Sequence, residues 1–295
     1  PRVTIPIGLD PYGSVFVVFR AGTGPRADHI VSIRRNGAAA YGLAPVLQNL
    51  MSANDVKQAD DKGLALETAD EGTYNFVTAA GHSLKARVPR LPGPILLEGP
   101  WQLEFPKDLG APDRVTLDRL ISWTEHPDFG VKYFSGTATY RNRFKLREGM
   151  LAPDRRLYLD LGRVCVIAEV ALNGKDLGIL WKPPFTVDVT DFLTRGNNAL
   201  EIRVVNLWPN RLVGDEHLPE DCEWATPSTP RDPFPKAMGE VIDRWPEWLL
   251  ENKPRPTKRV AFPTWKKWSK DDPLLESGLL GPVRIIPKAR VKLTS

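Results

Sequence analysis

From Leu200 to Val205 apolar and polar positions take turns: Leu200, Ile202 and Val204 alternate with Glu201, Arg203 and Val205. A period of two puts one set of side chains on a core and the other toward solvent, which predicts a half-buried strand. Comparable runs recur from residue 96 onward: "WQLEF", "SGTATYRNRFKL", "RRLYLDLG", "VCVIAEVALNG", "KDLGILW", "FTVDVT", "NALEIRVVNLW" and "GPVRIIP". Eight short, spaced strands predict a jelly roll or a related sandwich. Before residue 95 the runs are "SVFVVFR", "HIVSIRRNG", "LALETAD", "GTYNFVTAA" and "SLKARV", each bounded by Gly, Asp or Asn. They predict a small antiparallel sandwich, short of strands that would precede Pro1. Residues 43–57 fit either a loop or a short helix. The Pro- and Gly-rich "RLPGPILLEGPW" (90–101) reads as a linker or a strand crossing between domains.

The expectation is therefore an all-β chain of two β-sandwich domains, residues 1–95 and 96–295. Asn173-Gly174 predicts a tight type I′ hairpin, because both residues tolerate positive φ. Gly196-Asn197-Asn198 marks a second turn. The exception is the stretch 215–275, with ten of the 28 prolines and five of the nine tryptophans. It reads as a partly helical insertion, with "KAMGEVIDRW" and "PEWLLEN" as short helices, the second with Pro at its first position. So long a loop in a compact domain is usually functional or packed on something else.

Composition adds little to this picture. Apolar residues are 42% and charged residues 26%, as in an ordinary folded domain. The net charge is +4, but acids and bases are interleaved, which argues against a nucleic-acid partner. The densest basic stretches, "ENKPRPTKRV" and "WKKWSK", read as a solvated loop face. No run of about 18 apolar residues could span a membrane, so no membrane partner is expected. Cys165, in "RVCVIAEV", reads as a small buried hydrophobe and Cys222 lies in the acidic "PEDCEW"; a bond between them stays open. The chain opens on Pro1 without an initiator Met and reads as a piece of something longer.

No local catalytic signature is present: no G-x-S-x-G elbow, no H-E-x-x-H, no phosphate loop and no dinucleotide fingerprint. Acids cluster at Asp215-Glu216, at Glu220-Asp221-Glu223 and at Asp271-Asp272. Glycoside hydrolysis needs two carboxyls facing across a bond, whereas neighbouring acids usually diverge, so these read as solvated turn residues. Tryptophans beside polar groups are more suggestive, because the C–H faces of sugars pack on aromatic rings while amides, carboxylates and Arg take the hydroxyls. Three places fit: Trp123, Glu125 and His126; Trp181 and Lys182; and Asn206, Trp208, Asn210, Arg211 and Asp215. The plainer alternative is that each Trp plugs the core or packs against a domain.

These motifs bring a resemblance into view. "SGTATYRNRF", "LYLDLGRV", "AEVALNGKDLGILWKPPFTVDVTDFL" and "GNNALEIRVVNLWPNRLVGD" resemble the sugar-binding, galactose-binding-like β-sandwich of glycoside hydrolase family 2. "SWTEHPDFGVKYFSGTATY", "LWKPPF", "NLWPNRLVGD" and "LLESGLLGPVRI" are similar to the C-terminal end of bacterial α-L-rhamnosidases of glycoside hydrolase family 106, and "LDPYGSVFVVFR" to the sandwich preceding it. In such enzymes the acid and base lie on a (β/α)-barrel N-terminal to the sandwiches, and this chain has no alternating strand–helix pattern of that kind. The resemblance thus implies an accessory, carbohydrate-binding or cleft-completing region of a polysaccharide-degrading hydrolase, without a catalytic residue of its own. The implied partners are the barrel and a glycan such as one containing rhamnose, and the implied setting of the parent is periplasmic or secreted. No cofactor is required by it, although related sandwiches carry a structural Ca²⁺ for which Asp188 and Asp191 could supply oxygens. Two alternatives stand beside it: a purely structural module packing on the barrel, and a stand-alone hydrolase with an unconventional site.

Overall fold

The computed structural model describes residues 14, 30–41, 56–58, 64–225 and 240–295. The runs "PRVTIPIGLD" and Val15–Arg20 and most of 43–57 lie outside the described residues. Before the linker come β1 (Ile30–Arg35), β2 (Ala38–Tyr41), β3 (Val56–Gln58), β4 (Leu64–Thr68), β5 (Gly72–Thr78) and β6 (Ser83–Val88). Then follow β7 (Ile95–Leu96), β8 (Trp101–Glu104), β9 (Arg114–Leu117), helix α1 (Phe129–Lys132), β10 (Thr137–Leu146), β11 (Arg155–Asp160) and β12 (Arg163–Cys165). β13 (Ile167–Leu172), β14 (Lys175–Leu180), β15 (Thr186–Asp188), β16 (Gly196–Val205) and helix α2 (Pro209–Asp215) lead into the insertion. The insertion holds β17 (Glu223–Ala225), β18 (Glu240–Arg244), helix α3 (Glu247–Leu250) and β19 (Trp265–Lys266), and the chain closes with β20 (Gly278–Gly281) and β21 (Arg284–Lys292).

The larger sandwich sets the antiparallel sheet β14-β13-β16-β10-β8-β9 against one built on β15-β11-β21. Alternation does what the sequence requires of it: Leu200, Ile202 and Val204 of β16 are at most 2% exposed. They join Ala138 and Tyr140 of β10, Val170 of β13, Leu157 and Leu159 of β11 and Ile285 of β21 in one core. Trp123, Phe105, Phe134 and Tyr140 form its aromatic centre, with Phe105 and Phe134 edge-to-face at 4.8 Å. The Trp123 indole N–H donates to the Tyr140 hydroxyl at 2.6 Å, and that hydroxyl also accepts the Leu279 N–H at 2.9 Å. Buried Trp and Tyr carry such partners because an unpaired polar atom there is costly.

The smaller sandwich sets β2-β1-β5-β6 against β3-β4-β21 around a second core of Ile33, Leu66, Tyr74 and Phe76. Residue 95 separates most of the two cores, but β21 crosses back. Its first half lies between β11 and β7, and its second half pairs with β4, carrying Ala289 and Leu293 into the smaller core. A boundary drawn in sequence misses this, because strand pairing joins residues more than 200 positions apart. The Tyr158 hydroxyl donates to the buried Glu67 carboxylate across the same junction.

Asn173 and Gly174 sit at φ 53° and 77° and join β13 to β14 with Leu172 opposite Lys175, the geometry of the predicted hairpin. Gly196-Asn197-Asn198 does not close a hairpin; it opens β16, paired with Leu146, Lys145 and Phe144. The Asn198 carboxamide binds Thr194 N and O and the Gly196 carbonyl, so it staples the preceding loop. In the insertion, "PEWLLEN" contains α3 with Pro246 as its cap. The described part of "KAMGEVIDRW" is strand β18, because β17 and β19 offer it backbone partners on both sides.

Candidate functional site

The end of β16 runs into α2, whose Pro209 has its fixed φ suited to a first helical turn. Of the acids read as solvated turn residues, Asp215, Glu216 and Asp221 instead have largely buried, paired side chains, whereas Glu220, Glu223 and Asp271 are exposed. Asp215 is 2% exposed, pairs with Arg211 Nη2 at 3.0 Å, and accepts the backbone N–H groups of Val260 (3.1 Å) and Ala261 (2.7 Å). Glu216 accepts from Arg259 Nη1 at 2.9 Å, while the same guanidinium donates to the Pro219 and Leu218 carbonyls. Asp221 accepts from Arg255 at 2.6 Å and from the Thr257 hydroxyl at 2.5 Å. Residues 215–221 are thus cross-tied to 255–261, which turns a Pro-rich stretch into an organised lobe. Burial acts to raise the Asp221 pKa, but the hydrogen bonds from Arg255 and Thr257 outweigh it and hold the carboxyl below its ordinary range. Burial lowers the Arg211 pKa against the pull of Asp215.

Two clefts open on this lobe. One, of about 330 Å³, is lined by Trp208, Leu212, Val260, Ala261, Phe262, Pro263, Trp265 and Trp268. The other, of about 610 Å³, lies between Trp245, Trp248, Arg244 and the acids Glu220, Asp221, Glu223 and Glu247. Phe262 touches both, with its ring 5.9 Å from that of Trp245 and 5.5 Å from that of Trp248. Cys222 borders the larger cleft; its thiol pKa is pushed up to about 11 by burial and by the hydrogen bond to Asp221. Both cysteines are free thiols, and Cys165 is half-buried rather than fully packed away.

The predicted rim residues divide sharply. Trp123 is 1% exposed and belongs to the core, so it cannot offer a ring to a sugar. Asn210, Arg211 and Asp215 are buried as well: Asn210 donates to the Leu275 carbonyl and accepts the Leu275 N–H, anchoring the return of the insertion. Asn206 spends both ends of its amide on Phe134 O and Gly136 N. These four are scaffold: Asn206, Asn210 and Asp215 satisfy backbone groups, and Arg211 is the buried counter-charge of Asp215. The rings that do face solvent are Trp181 at 61% and Trp208 at 52% exposure. Lys182 is half-buried with its ammonium at the Pro183 carbonyl. Glu125 is exposed, and His126 Nδ1 accepts the Asp128 N–H. Of all ten, only Trp208 lines the aromatic cleft.

The two acids considered for Ca²⁺, Asp188 and Asp191, both engage protein groups. Asp188 accepts the Thr190 N–H and hydroxyl, whereas Asp191 points to solvent and pairs with Arg156. Among the described residues no cluster of three metal-ligating side chains exists, and no helix is long and apolar enough to cross a membrane. Phe262, Trp265 and Trp268 were missed as site residues. The available signal was "FPTWKKWSK", in which aromatic and basic residues interleave.

Residues 126–239 match the family described as "Glycosyl hydrolase 2 galactose-binding domain-like". The second sandwich is a galactose-binding-like domain. Over 72% of its length the chain is 47% identical to a protein of Formosa agariphila named "Putative beta-glucuronidase". The solved structure of a rhamnosidase from Novosphingobium sp. PP1Y superposes on 78% of the chain with a TM-score of 0.50 and 27% identity. The chain spans only 17% of the former and 23% of the latter.

Proposed function

We propose that this chain is the accessory, non-catalytic sandwich region of a glycoside hydrolase, and that it engages a glycan through the cleft of Trp208, Phe262, Trp265 and Trp268. The observation that carries this reading is the convergence of four rings from two separate segments on one cleft of about 330 Å³, within the size range of ligand pockets. Apolar ring faces of this kind suit the C–H faces of pyranosides. The likeness to a rhamnosidase supports an α-L-rhamnosidase-like parent of glycoside hydrolase family 106, with rhamnose-containing glycans as the first ligands to test. The 47% identity to a protein named for β-glucuronidase makes glucuronosides the second. The catalytic carboxyls of the parent belong, on this reading, to a domain outside this chain.

The test is a titration of the chain with methyl glycosides and oligosaccharides of both classes, followed by tryptophan fluorescence and calorimetry. Binding that disappears in Trp208→Ala and Trp268→Ala supports the reading; no response at millimolar sugar sinks it. A packing role gains from a different observation: Trp245, just before α3, and Leu249 and Leu250 on it are 51%, 41% and 69% exposed, apolar surface suited to burial against another domain. The parent protein, cleaved by limited proteolysis, would show that surface protected.

A further inference from the structure

The aromatic cleft has a lopsided hydrogen-bonding character. Its side chains are four aromatic rings, Leu212, Val260, Ala261 and Pro263, with no carboxylate, amide or hydroxyl among them. Among the lining side chains the only polar atoms are the indole N–H groups of Trp208, Trp265 and Trp268. Indole donates and does not accept. Trp123, Trp224 and Trp248 donate to Tyr140, Glu220 and the Asp221 carbonyl, but the three cleft indoles have no acceptor among the described residues.

The charge around the cleft has the same sign as this donor excess. From Lys258 to Lys270 the chain carries five cations, and the acids Asp271 and Asp272 follow directly, with Asp272 accepting the Ser269 N–H at 2.8 Å. Two are already engaged: Arg259 with Glu216, and Lys266 with Glu216 and Glu220. Lys258, Lys267 and Lys270 are exposed and have no carboxylate partner among the described residues. Lys267 lies between the two cleft tryptophans in sequence, with Nζ 5.5 Å from the centre of the Trp268 ring. Of the lobe acids, Asp221 is held outside this stretch at Arg255, whereas Glu216 and Glu220 are held within it, at Arg259 and Lys266.

A neutral sugar hydroxyl both donates and accepts, so a site for neutral sugars gains from carboxylates and amides. A carboxylate or sulfate group only accepts. We infer that the Trp208–Trp265–Trp268 cleft selects an anionic pyranoside, a uronic acid or a sulfated sugar, whose ring stacks on the aromatics and whose acid group meets the indole N–H donors and Lys267. This rests on the sugar-binding reading given above and narrows it to a ligand class.

The experiment titrates the whole chain with methyl glucoside, methyl glucuronide and glucose 6-sulfate at low salt, and repeats each with Lys267→Gln. Lys267 is exposed and makes no ion pair, so the variant folds as the parent does, which matched thermal melts verify. The two anionic sugars are expected to bind about two- to fivefold more tightly than methyl glucoside, the factor a single solvent-exposed charge pair supplies. That margin shrinks in 0.5 M salt, on the order of magnitude expected from screening, and shrinks in Lys267→Gln. Preference for one anion over the other separates carboxylate from sulfate recognition. Equal affinity for the neutral and anionic sugars, or a preference unchanged in Lys267→Gln, overturns the anionic inference while leaving a sugar site in place. Binding of none of the three overturns both.

Discussion

Replacing Asp215 by Ala tests whether the lobe hangs on its buried charges. In the folded chain the Asp215 carboxylate is the counter-charge of Arg211, with the two side chains 3% and 2% exposed, and it receives the N–H groups of Val260 and Ala261. Asp215→Ala leaves a guanidinium buried without a partner, which costs about 3–5 kcal/mol. The two orphaned N–H groups would each add about 1–3 kcal/mol if they stayed dry; water entering the vacated space reduces that, so about 3–5 kcal/mol is the expected loss. Removing both charges in Arg211→Met/Asp215→Ala costs less than Asp215→Ala alone, and with Arg211→Met as the fourth corner the double-mutant cycle gives a coupling of about 2 kcal/mol. Urea unfolding measures the loss, and hydrogen exchange at Val260 and Ala261 shows where it falls. A loss below about 1 kcal/mol, or unchanged exchange at Ala261, refutes the argument that this pair anchors the lobe.

Three further outcomes follow from the same geometry. Tyr140→Phe removes one oxygen but orphans two buried donors, the Trp123 indole and Leu279 N–H; a loss of about 2–4 kcal/mol in chemical unfolding is expected, and a loss under about 0.5 kcal/mol contradicts it. Asp221 is held below its ordinary pKa in the fold, so its contribution is present above the unfolded value near 4 and is lost as pH falls through the lower folded value. Trp248 fluorescence followed from pH 7 to pH 2 should report the lobe loosening only below about pH 4; a transition centred above pH 5 assigns it to another group. With its pKa near 11, Cys222 carries roughly a hundredfold less thiolate at pH 8 than an unperturbed thiol. Alkylation monitored by mass is correspondingly slow, and labelling at the rate of a free peptide thiol rules out the Asp221 contact.

The strands were legible because their information is local. Leu200, Ile202 and Val204 announce their buried face by alternation, and Asn173-Gly174 announces its turn by its tolerance of positive φ. The candidate site is legible only in part: Trp208 stands out beside polar groups, whereas Phe262, Trp265 and Trp268 sit in a stretch whose interleaved lysines read as a solvated basic face. Trp123, beside Glu125 and His126, looks in sequence much like Trp208 beside Asn210 and Arg211, yet it is 1% exposed where Trp208 is 52%. A residue's neighbours in sequence do not say which rings another segment will cover. By itself the sequence determined the all-β class, the hairpin and the sandwich likeness, all of which depend on contacts within or between adjacent runs. Only the tertiary structure decided that Asp215, Glu216 and Asp221 are buried ties, that β21 serves both cores, and that the cleft draws its rings from residues 208 and 262–268. Each depends on pairing across 34 or more residues. At such separations the entropy of closing the loop is offset only by the assembled fold.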